Sequence, residues 1–366
     1  MFKYFNPVEI VYTNKWFSEL SFYLNELGSK NPLIVTSKGN QKRLALNSKF
    51  DSKCIFSDLN VNPNFNDFKK IINFCNNQSF DLVIAIGGGS VMDLAKVAVA
   101  NLSLNESDIF KLISYKNEYR NKIPSIFLPT THGTASEVTM WGTIWNIEEK
   151  KKYSISNFDL YPKVAILDAS LLLTLPEKIS ISTTMDALSH SFESIWNKNA
   201  NKKSTKFAIE AIYRIMTHVD LLKNNPNSLS VRRELLEAST LAGLAFSNTM
   251  TASAHSMSYP LTLHFDIPHG VASSMSLLPL MDINKKFIQN ELNEICFRLN
   301  LSFDDLKNKI SSIPKGVFSY KLIDWGLSES DLKLVCNESF TKGRMDNNIT
   351  VLNKNRVMKI FKEIYN

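Results

Sequence analysis

From Asp81 to Lys96 the chain reads D-L-V-I-A-I-G-G-G-S-V-M-D-L-A-K. Leu82 to Ile86 is an unbroken aliphatic run, and Gly87-Gly88-Gly89 ends it. A run without polar alternation suits a strand buried on both faces, the kind that populates parallel sheets. Ser90 to Lys96 then resumes with helical spacing. Three glycines let a backbone approach a phosphate closely, and the free N–H groups at a helix N-terminus attract anionic oxygens. Ser90 is the expected cap of that helix. The loop is neither the G-x-G-x-x-G fingerprint nor a P-loop, because no G-K-[ST] follows. Its place between a strand and a helix favours phosphate binding over a ligand-free turn.

Outward from this unit, the first half alternates strands and helices. Pro32–Thr36 and Lys53–Phe56 read as strands, and Phe65–Asn76 as a helix with Phe68, Ile71, Ile72 and Cys75 on one face. Ile123–Leu128 is a further strand. The alternation predicts a parallel sheet covered on both faces. A second loop follows a strand: Pro129-Thr130-Thr131-His132-Gly133-Thr134-Ala135-Ser136-Glu137. Its hydroxyls suit a ribose or pyrophosphate, although alone such a loop is more often a capped turn.

From about Pro176 the texture changes. Ser180–Trp196, Thr205–Leu222, Ser230–Phe246, Val271–Met281, Lys285–Leu299 and Val351–Tyr365 all carry helical periodicity. The fold class expected is therefore an α/β N-terminal domain with a parallel sheet, residues 1–175, followed by an all-α C-terminal domain, residues 176–366. No repeat or low-complexity linker separates them, so direct packing around a ligand cleft is expected.

Composition sets the outer limits. Of 366 residues 44% are hydrophobic and 21% charged, the balance of an ordinary globular protein. No run of about 20 apolar residues spans a bilayer, and the first ten residues lack a signal pattern, so a cytoplasmic location is expected. The net charge of +7 is spread over pairs such as Lys151-Lys152 and Lys202-Lys203. Without a basic block interleaved with aromatics, nucleic acid is not an expected partner. Cys54, Cys75, Cys296 and Cys336 form no C-x-x-C pair and read as reduced thiols.

The helical half carries the chemistry. Asp186 and His190 in T-M-D-A-L-S-H stand at i, i+4, on one helix face. Thr251 to Gly270 reads T-A-S-A-H-S-M-S-Y-P-L-T-L-H-F-D-I-P-H-G and holds His255, His264 and His269. One carboxylate and three imidazoles, Asp186, His190, His255 and His269, suit Fe²⁺, Zn²⁺ or Co²⁺. His218 and His264 lack such a partner pattern and read as structural.

Four motifs in this order resemble the iron-containing (group III) alcohol dehydrogenase family: the glycine loop through Lys96, the Pro129–Glu137 loop, Met185-Asp186-Ala-Leu-Ser-His190-x-x-Glu193, and His255 followed fourteen positions later by His269. The resemblance covers nearly the whole chain. It implies the dehydroquinate synthase-like/iron alcohol dehydrogenase fold, with an N-terminal dinucleotide-binding domain and a helical metal-binding domain. It implies NADPH or NADH and a divalent metal, Fe²⁺ before Zn²⁺, held by Asp186, His190, His255 and His269. Ser37, Gly87, Gly88, Gly89, Ser90, Asp93, Thr130, Thr131, Thr134 and Lys152 then occupy cofactor positions. The implied chemistry is hydride transfer between nicotinamide and an aldehyde, with the metal as Lewis acid. A homodimer is expected by the same likeness.

The sequence also departs from the family pattern. Tyr259 stands where many members carry a histidine four residues after the third ligand, so it becomes the candidate proton carrier. Ser37 stands at the end of the first strand where NAD-preferring members place an aspartate, and Lys38, Lys42 and Arg43 follow it. That pattern points to NADPH. Segments Met140–Asn146, Trp196–Asn201, Ser247–Thr251 and Gly343–Asn348 cluster on the expected substrate side. Together they resemble the phosphonoacetaldehyde reductase branch, which implies an anionic aldehyde as substrate. Arg344 offers a fork suited to phosphoryl oxygens, and Asn248, Thr251 and Ser253 offer neutral hydrogen bonds. The alternatives are a general short-chain alcohol or lactaldehyde dehydrogenase and a dehydroquinate synthase-like lyase.

Overall fold

The computed structural model describes residues 4–366. Among them lie eight strands: β1 Glu9–Tyr12, β2 Pro32–Thr36, β3 Ile55–Phe56, β4 Leu82–Gly87, β5 Ser125–Pro129, β6 Trp141–Asn146, β7 Lys151–Ser156 and β8 Val164–Leu167. Six form one sheet in the order β1-β8-β5-β4-β2-β3, and every pairing in it is parallel. The remaining pair, β6 and β7, is an antiparallel hairpin. The parallel α/β half is therefore as the sequence predicts, and β4 is buried along its whole length.

The chain groups into two compact units, each with its own core. The sheet unit comprises residues 7–131 and 135–172. Strand order reverses beside β4: β2 runs outward to β3, whereas β4 leads to β5 on its other side. Such a switch point opens the crevice where α/β sheets bind ligands. In-register pairing sets Thr36, Ile86 and Leu128 in one row, so the loops after β2, β4 and β5 leave the sheet side by side.

Two elements of this unit escape the sequence reading. β1 is only E-I-V-Y on the sheet edge, with Tyr12 exposed, too short to show a period. It also makes Pro32–Thr36 the second strand rather than the first. Within Met140–Asn146, residues Trp141–Asn146 form β6. A Cβ on Gly142 would stand 3.1 Å from the Asp93 carbonyl, so the bare glycine lets the hairpin rest on the helix Gly89–Leu104. Fully buried Lys96 of that helix donates to Ser136 O, Ser136 Oγ, Thr139 Oγ1 and Trp141 O at 2.7–2.9 Å. Burial pushes its amine down to about 7 against the pull of Asp93 and Glu137.

The helical unit contains residues 4–6, residues 132–134 and residues 173–366. Its longest helices are Glu177–Ile195, Lys202–Asn224 and Leu229–Thr249. The first is buried almost throughout from Ser180. Its many hydroxyls are satisfied locally: Ser191 and Ser194 donate to the carbonyls of Ala187 and His190 at 2.8 Å. The apolar run Val271–Met281, expected as one helix, is two, His269–Met275 and Leu277–Asn284, meeting at Ser276. The last helix starts at Lys354 rather than Val351 because Asn353 caps it. Among the described residues no helix is long and apolar enough to cross a membrane. The four cysteines are free thiols.

Candidate nucleotide and metal sites

The three loops at the switch point are stitched together by backbone and side-chain hydrogen bonds. Thr130 N donates to Gly87 O (3.0 Å), and Asn40 Nδ2 donates to Thr130 Oγ1 (3.3 Å). Ser37 caps the short helix Lys38–Arg43 by accepting from Asn40 N. A Cβ on Gly87 would collide with Val91 at 2.4 Å, and one on Gly88 would reach Thr131 at 3.0 Å. The glycines are thus demanded by the packing of the turn itself. Gly88 is the helix N-cap and no side chain caps it, which leaves its first N–H groups for an anion. Ser90 does not cap: its hydroxyl accepts from Asn62 N at 3.2 Å, fastening the loop before Asn64.

The structure brings Ser37, Gly87, Gly88, Gly89, Ser90, Thr130 and Thr131 to this one edge of the sheet. Asp93 lies deeper, half-buried, accepting from Ser136 Oγ at 3.2 Å, with its pKa raised by burial. Lys152 sits on β7 with its ammonium 5.5 Å from the centre of the Trp145 ring. Thr134 groups with the helical unit.

In the helical unit, Asp186, His255 and His269 each offer one ligand atom, all within 4.8 Å of one another. Asp186 Oδ1 is 3.4 Å from His255 Nε2 and 4.0 Å from His269 Nε2, and Oδ2 is 4.0 Å from His190 Nδ1. His190 lies just outside that trio, stacked between Phe246 (4.1 Å) and His255 (4.3 Å). Asp186, His190 and His255 are buried. Local structure explains the convergence. Asp266 in the left-handed region ends the His255 helix and Pro268 starts the next. Gly270 then lets that helix touch the Asp186 helix, because a Cβ would fall 2.1 Å from Ser182 O.

These residues fit a divalent cation. His190 Nδ1 and His255 Nε2 are buried with no hydrogen-bond partner, an arrangement that costs free energy unless a cation takes the lone pairs. Burial works against the Asp186 charge, but His190, His255 and His269 pull its pKa well below the carboxylate range. Burial pushes His190 down to about 4, leaving it a neutral ligand. Burial also opposes charge on His255, yet Glu193 and Asp186 hold its pKa at about 10.

Glu193 is the functional residue that sequence reasoning quoted without a role. It is fully buried and accepts from His255 Nδ1 at 2.6 Å, Ala254 N at 2.5 Å and His255 N at 3.2 Å. That carboxylate fixes the tautomer, leaving Nε2 to face Asp186. The signal was present: 186, 190 and 193 are spaced four and three apart, on one helix face. Tyr259 is buried, its ring 6.4 Å from that of His269. His264 pairs with Glu338 at 2.7 Å and His218 Nδ1 lies 2.9 Å from Arg214 O, both away from the cluster.

The substrate candidates part company. Asn248 uses both ends of its amide on Phe5, accepting from N and donating to O at 2.8 Å, so it anchors the N-terminal segment. Ser253 donates to Asn348 Oδ1 at 2.9 Å. Thr251 Oγ1 is buried with no hydrogen-bond partner. Arg344 Nη1 donates to Gly343 O at 2.7 Å and lies 3.9 Å from Met250 Sδ.

Comparison with known proteins agrees with this geometry. Residues 7–169 match the iron-containing alcohol dehydrogenase family, and residues 180–365 match its C-terminal domain. The NADPH-dependent butanol dehydrogenase of Clostridium saccharobutylicum is 30% identical over 299 residues, 78% of this chain and 76% of that one. Among solved structures, a 1,3-propanediol oxidoreductase has TM-score 0.90 at 26% identity, covering 100% of both chains. The sulfoacetaldehyde reductase of Bifidobacterium kashiwanohense in complex with NAD+ has TM-score 0.89 at 27% identity, covering 100% of this chain and 98% of that one. A glycine turn at the switch point of a parallel sheet, a histidine–aspartate cluster in a helical unit, and family matches across both halves lead to one conclusion: the chain belongs to the iron-containing alcohol dehydrogenase family, whose members are NAD(P)-dependent oxidoreductases that use an iron ion.

Proposed function

We propose that this NAD(P)-dependent alcohol/aldehyde oxidoreductase reduces phosphonoacetaldehyde to 2-hydroxyethylphosphonate, with NADPH as the preferred donor. The observation that carries the reading is a junction of three loops around Met250 and Thr251. Asn197 Nδ2 donates to Met250 O (3.0 Å), Asn199 Nδ2 to Thr249 O (3.3 Å) and Asn347 Nδ2 to Thr251 O (2.9 Å). Met250 itself has φ +64°, a conformation that costs about 1–3 kcal/mol outside glycine and is tolerated mainly at functional sites. The junction sits directly before the His255 helix and sets a buried Thr251 hydroxyl and the Arg344 guanidinium on neighbouring loops. A phosphonate dianion leaves water only where a cation and several donors replace its hydration. The structural neighbour named for sulfoacetaldehyde supports the reading, since that compound is also a two-carbon aldehyde bearing a tetrahedral anion.

A bound divalent cation supplies Lewis acidity toward the carbonyl oxygen. Asp186, His255 and His269, with His190, are the residues that would hold it, and Glu193 orients His255. Tyr259 is the proposed proton carrier. Glycines 87–89 with Thr130 and Thr131 would seat the pyrophosphate. The NADPH preference rests on Ser37, which brings no carboxylate to the end of β2, and on Lys42 and Arg43 nearby. Lys38 is paired with Asp58 at 2.9 Å and is left out of that reading. A homodimer in the cytoplasm belongs to the same proposal.

The test compares kcat/KM for phosphonoacetaldehyde, sulfoacetaldehyde and acetaldehyde, with NADPH and NADH, after loading with Fe²⁺ or Zn²⁺. Wild-type enzyme is expected to favour the phosphonate, and Arg344→Ala to lose roughly 10- to 100-fold on it while keeping acetaldehyde activity. Equal loss on both, or a wild-type preference for uncharged aldehydes, refutes the anion reading. The second outcome favours a short-chain alcohol dehydrogenase like the butanol enzyme.

A further inference from the structure

Arg232 is fully buried, and the chemistry above does not use it. It donates from Nε to Pro226 O (2.9 Å), from Nη2 to Leu175 O (3.0 Å) and from Nη1 to Ser180 Oγ (2.6 Å). Among the described residues no carboxylate pairs with it, so neutral oxygens solvate its charge. Nη1 also lies 3.3 Å from His132 Nε2. A guanidinium has no acceptor, so in this contact Nε2 accepts and the ring proton sits on Nδ1. Nδ1 is 3.2 Å from Thr184 Oγ1 and 3.4 Å from Thr183 Oγ1. Those hydroxyls donate at 2.8 Å to Ser180 O and Ile179 O, which turns their lone pairs to the imidazole. Each link requires the next. Burial and the Arg232 charge keep His132 neutral, its pKa pushed down to about 3.

The residue after His132 closes the path to the metal cluster. Gly133 sits so tightly on the Asp186 helix that a Cβ would fall 2.6 Å from Thr183 Cβ and 2.7 Å from Thr183 O. Thr183 stands one turn before Asp186 on that helix. His190 Nδ1 is buried without a partner, 4.0 Å from Asp186 Oδ2. Metal-binding histidines nearly always donate their second N–H to a carboxylate or carbonyl, which fixes ring orientation. His255 has the Glu193 carboxylate for this purpose. His190 takes its place from the helix that Gly133 abuts.

We propose that Arg232 and His132 form a positioning relay: His132, locked in one tautomer, seats Gly133 on the Asp186 helix beside Thr183, and that seat places Asp186 and His190 for the metal. The relay rests on the metal reading of the cluster and adds to it the residues that hold the helix carrying Asp186 and His190. His132 and Arg232 touch neither metal nor substrate.

The test uses metal-free full-length protein reconstituted with Co²⁺, reading the dissociation constant by chelator competition and coordination by visible absorption. His132→Ala and Thr184→Val are compared with wild type, and the melting point of the metal-free forms is taken alongside. His132→Ala is expected to bind Co²⁺ roughly 10- to 100-fold more weakly, with an altered d–d spectrum. Thr184→Val, which removes the nearer acceptor for Nδ1–H, is expected to shift both in the same direction by less. A folded His132→Ala with wild-type affinity and spectrum overturns the relay. Should His132→Ala fail to fold, an unchanged spectrum in Thr184→Val overturns it equally. Wild-type protein that takes up no Co²⁺ refutes the metal centre itself, and the relay with it.

Discussion

Glu193→Gln is the sharpest perturbation the metal cluster offers, because it keeps shape and removes one charge. The carboxylate accepts three hydrogen bonds, two on Oε1 from Ala254 N and His255 N and one on Oε2 from His255 Nδ1. Glutamine has one acceptor oxygen and one NH₂ donor. With its oxygen left toward Ala254 and His255 N, its N–H groups face the Nδ1–H of the ring. Relief then requires the imidazole to move its proton to Nε2, the atom 3.4 Å from Asp186 that a cation would use. With the amide flipped, two buried backbone N–H groups lose their acceptor instead. Either outcome forfeits a charge-assisted hydrogen bond, about 1.5–3 kcal/mol. At about 1.4 kcal/mol per tenfold, metal affinity should fall roughly 10- to 100-fold. Chelator competition with Co²⁺ measures it, and urea unfolding of the metal-free protein separates lost affinity from lost stability. Unchanged affinity in folded Glu193→Gln would refute the claim that this carboxylate sets the His255 tautomer.

Two further outcomes follow from the same geometry. The buried neutral His132 predicts acid sensitivity. Above its unfolded pKa of about 6.5 neither state binds the proton and the stability is complete. As pH falls from there toward the folded value of about 3, only the unfolded chain takes up the proton, so stability drops by up to about 1.4 kcal/mol per pH unit. Urea unfolding of wild type and His132→Asn across this range should show the steeper fall in wild type, and parallel curves would contradict it. Gly270→Ala places a methyl 2.1 Å from a backbone carbonyl that cannot yield. It is expected to destabilise by the upper part of the overpacking range, about 3 kcal/mol, and to weaken metal binding by displacing His269. A variant with both properties intact would show that the helix His269–Met275 has room to shift.

The parts of this protein that are local in the chain were legible in its sequence. An aliphatic run ending in three glycines specifies a buried strand and an open turn, because solvent exclusion and backbone freedom act over a few residues. Asp186 and His190 share a helix face through 3.6-residue periodicity alone. β1 and the β6–β7 hairpin were not legible, since four residues carry too little pattern and the hairpin owes its place to the close approach of its Gly142 to Asp93 and to Lys96 bonding its Trp141 carbonyl. Function at a distance was decided only by tertiary packing. The sequence sets His255 and His269 fourteen residues apart. Gly270 against Ser182 O, together with the break at Asp266 and Pro268, brings them to Asp186. Asn248 looked as suited to a substrate as Thr251, and only the Phe5 backbone reveals that its amide is occupied. His132 and Arg232 stand 100 residues apart and carry no shared motif. Their link exists because a buried guanidinium must find acceptors, and which acceptors it finds is settled by packing rather than by spacing.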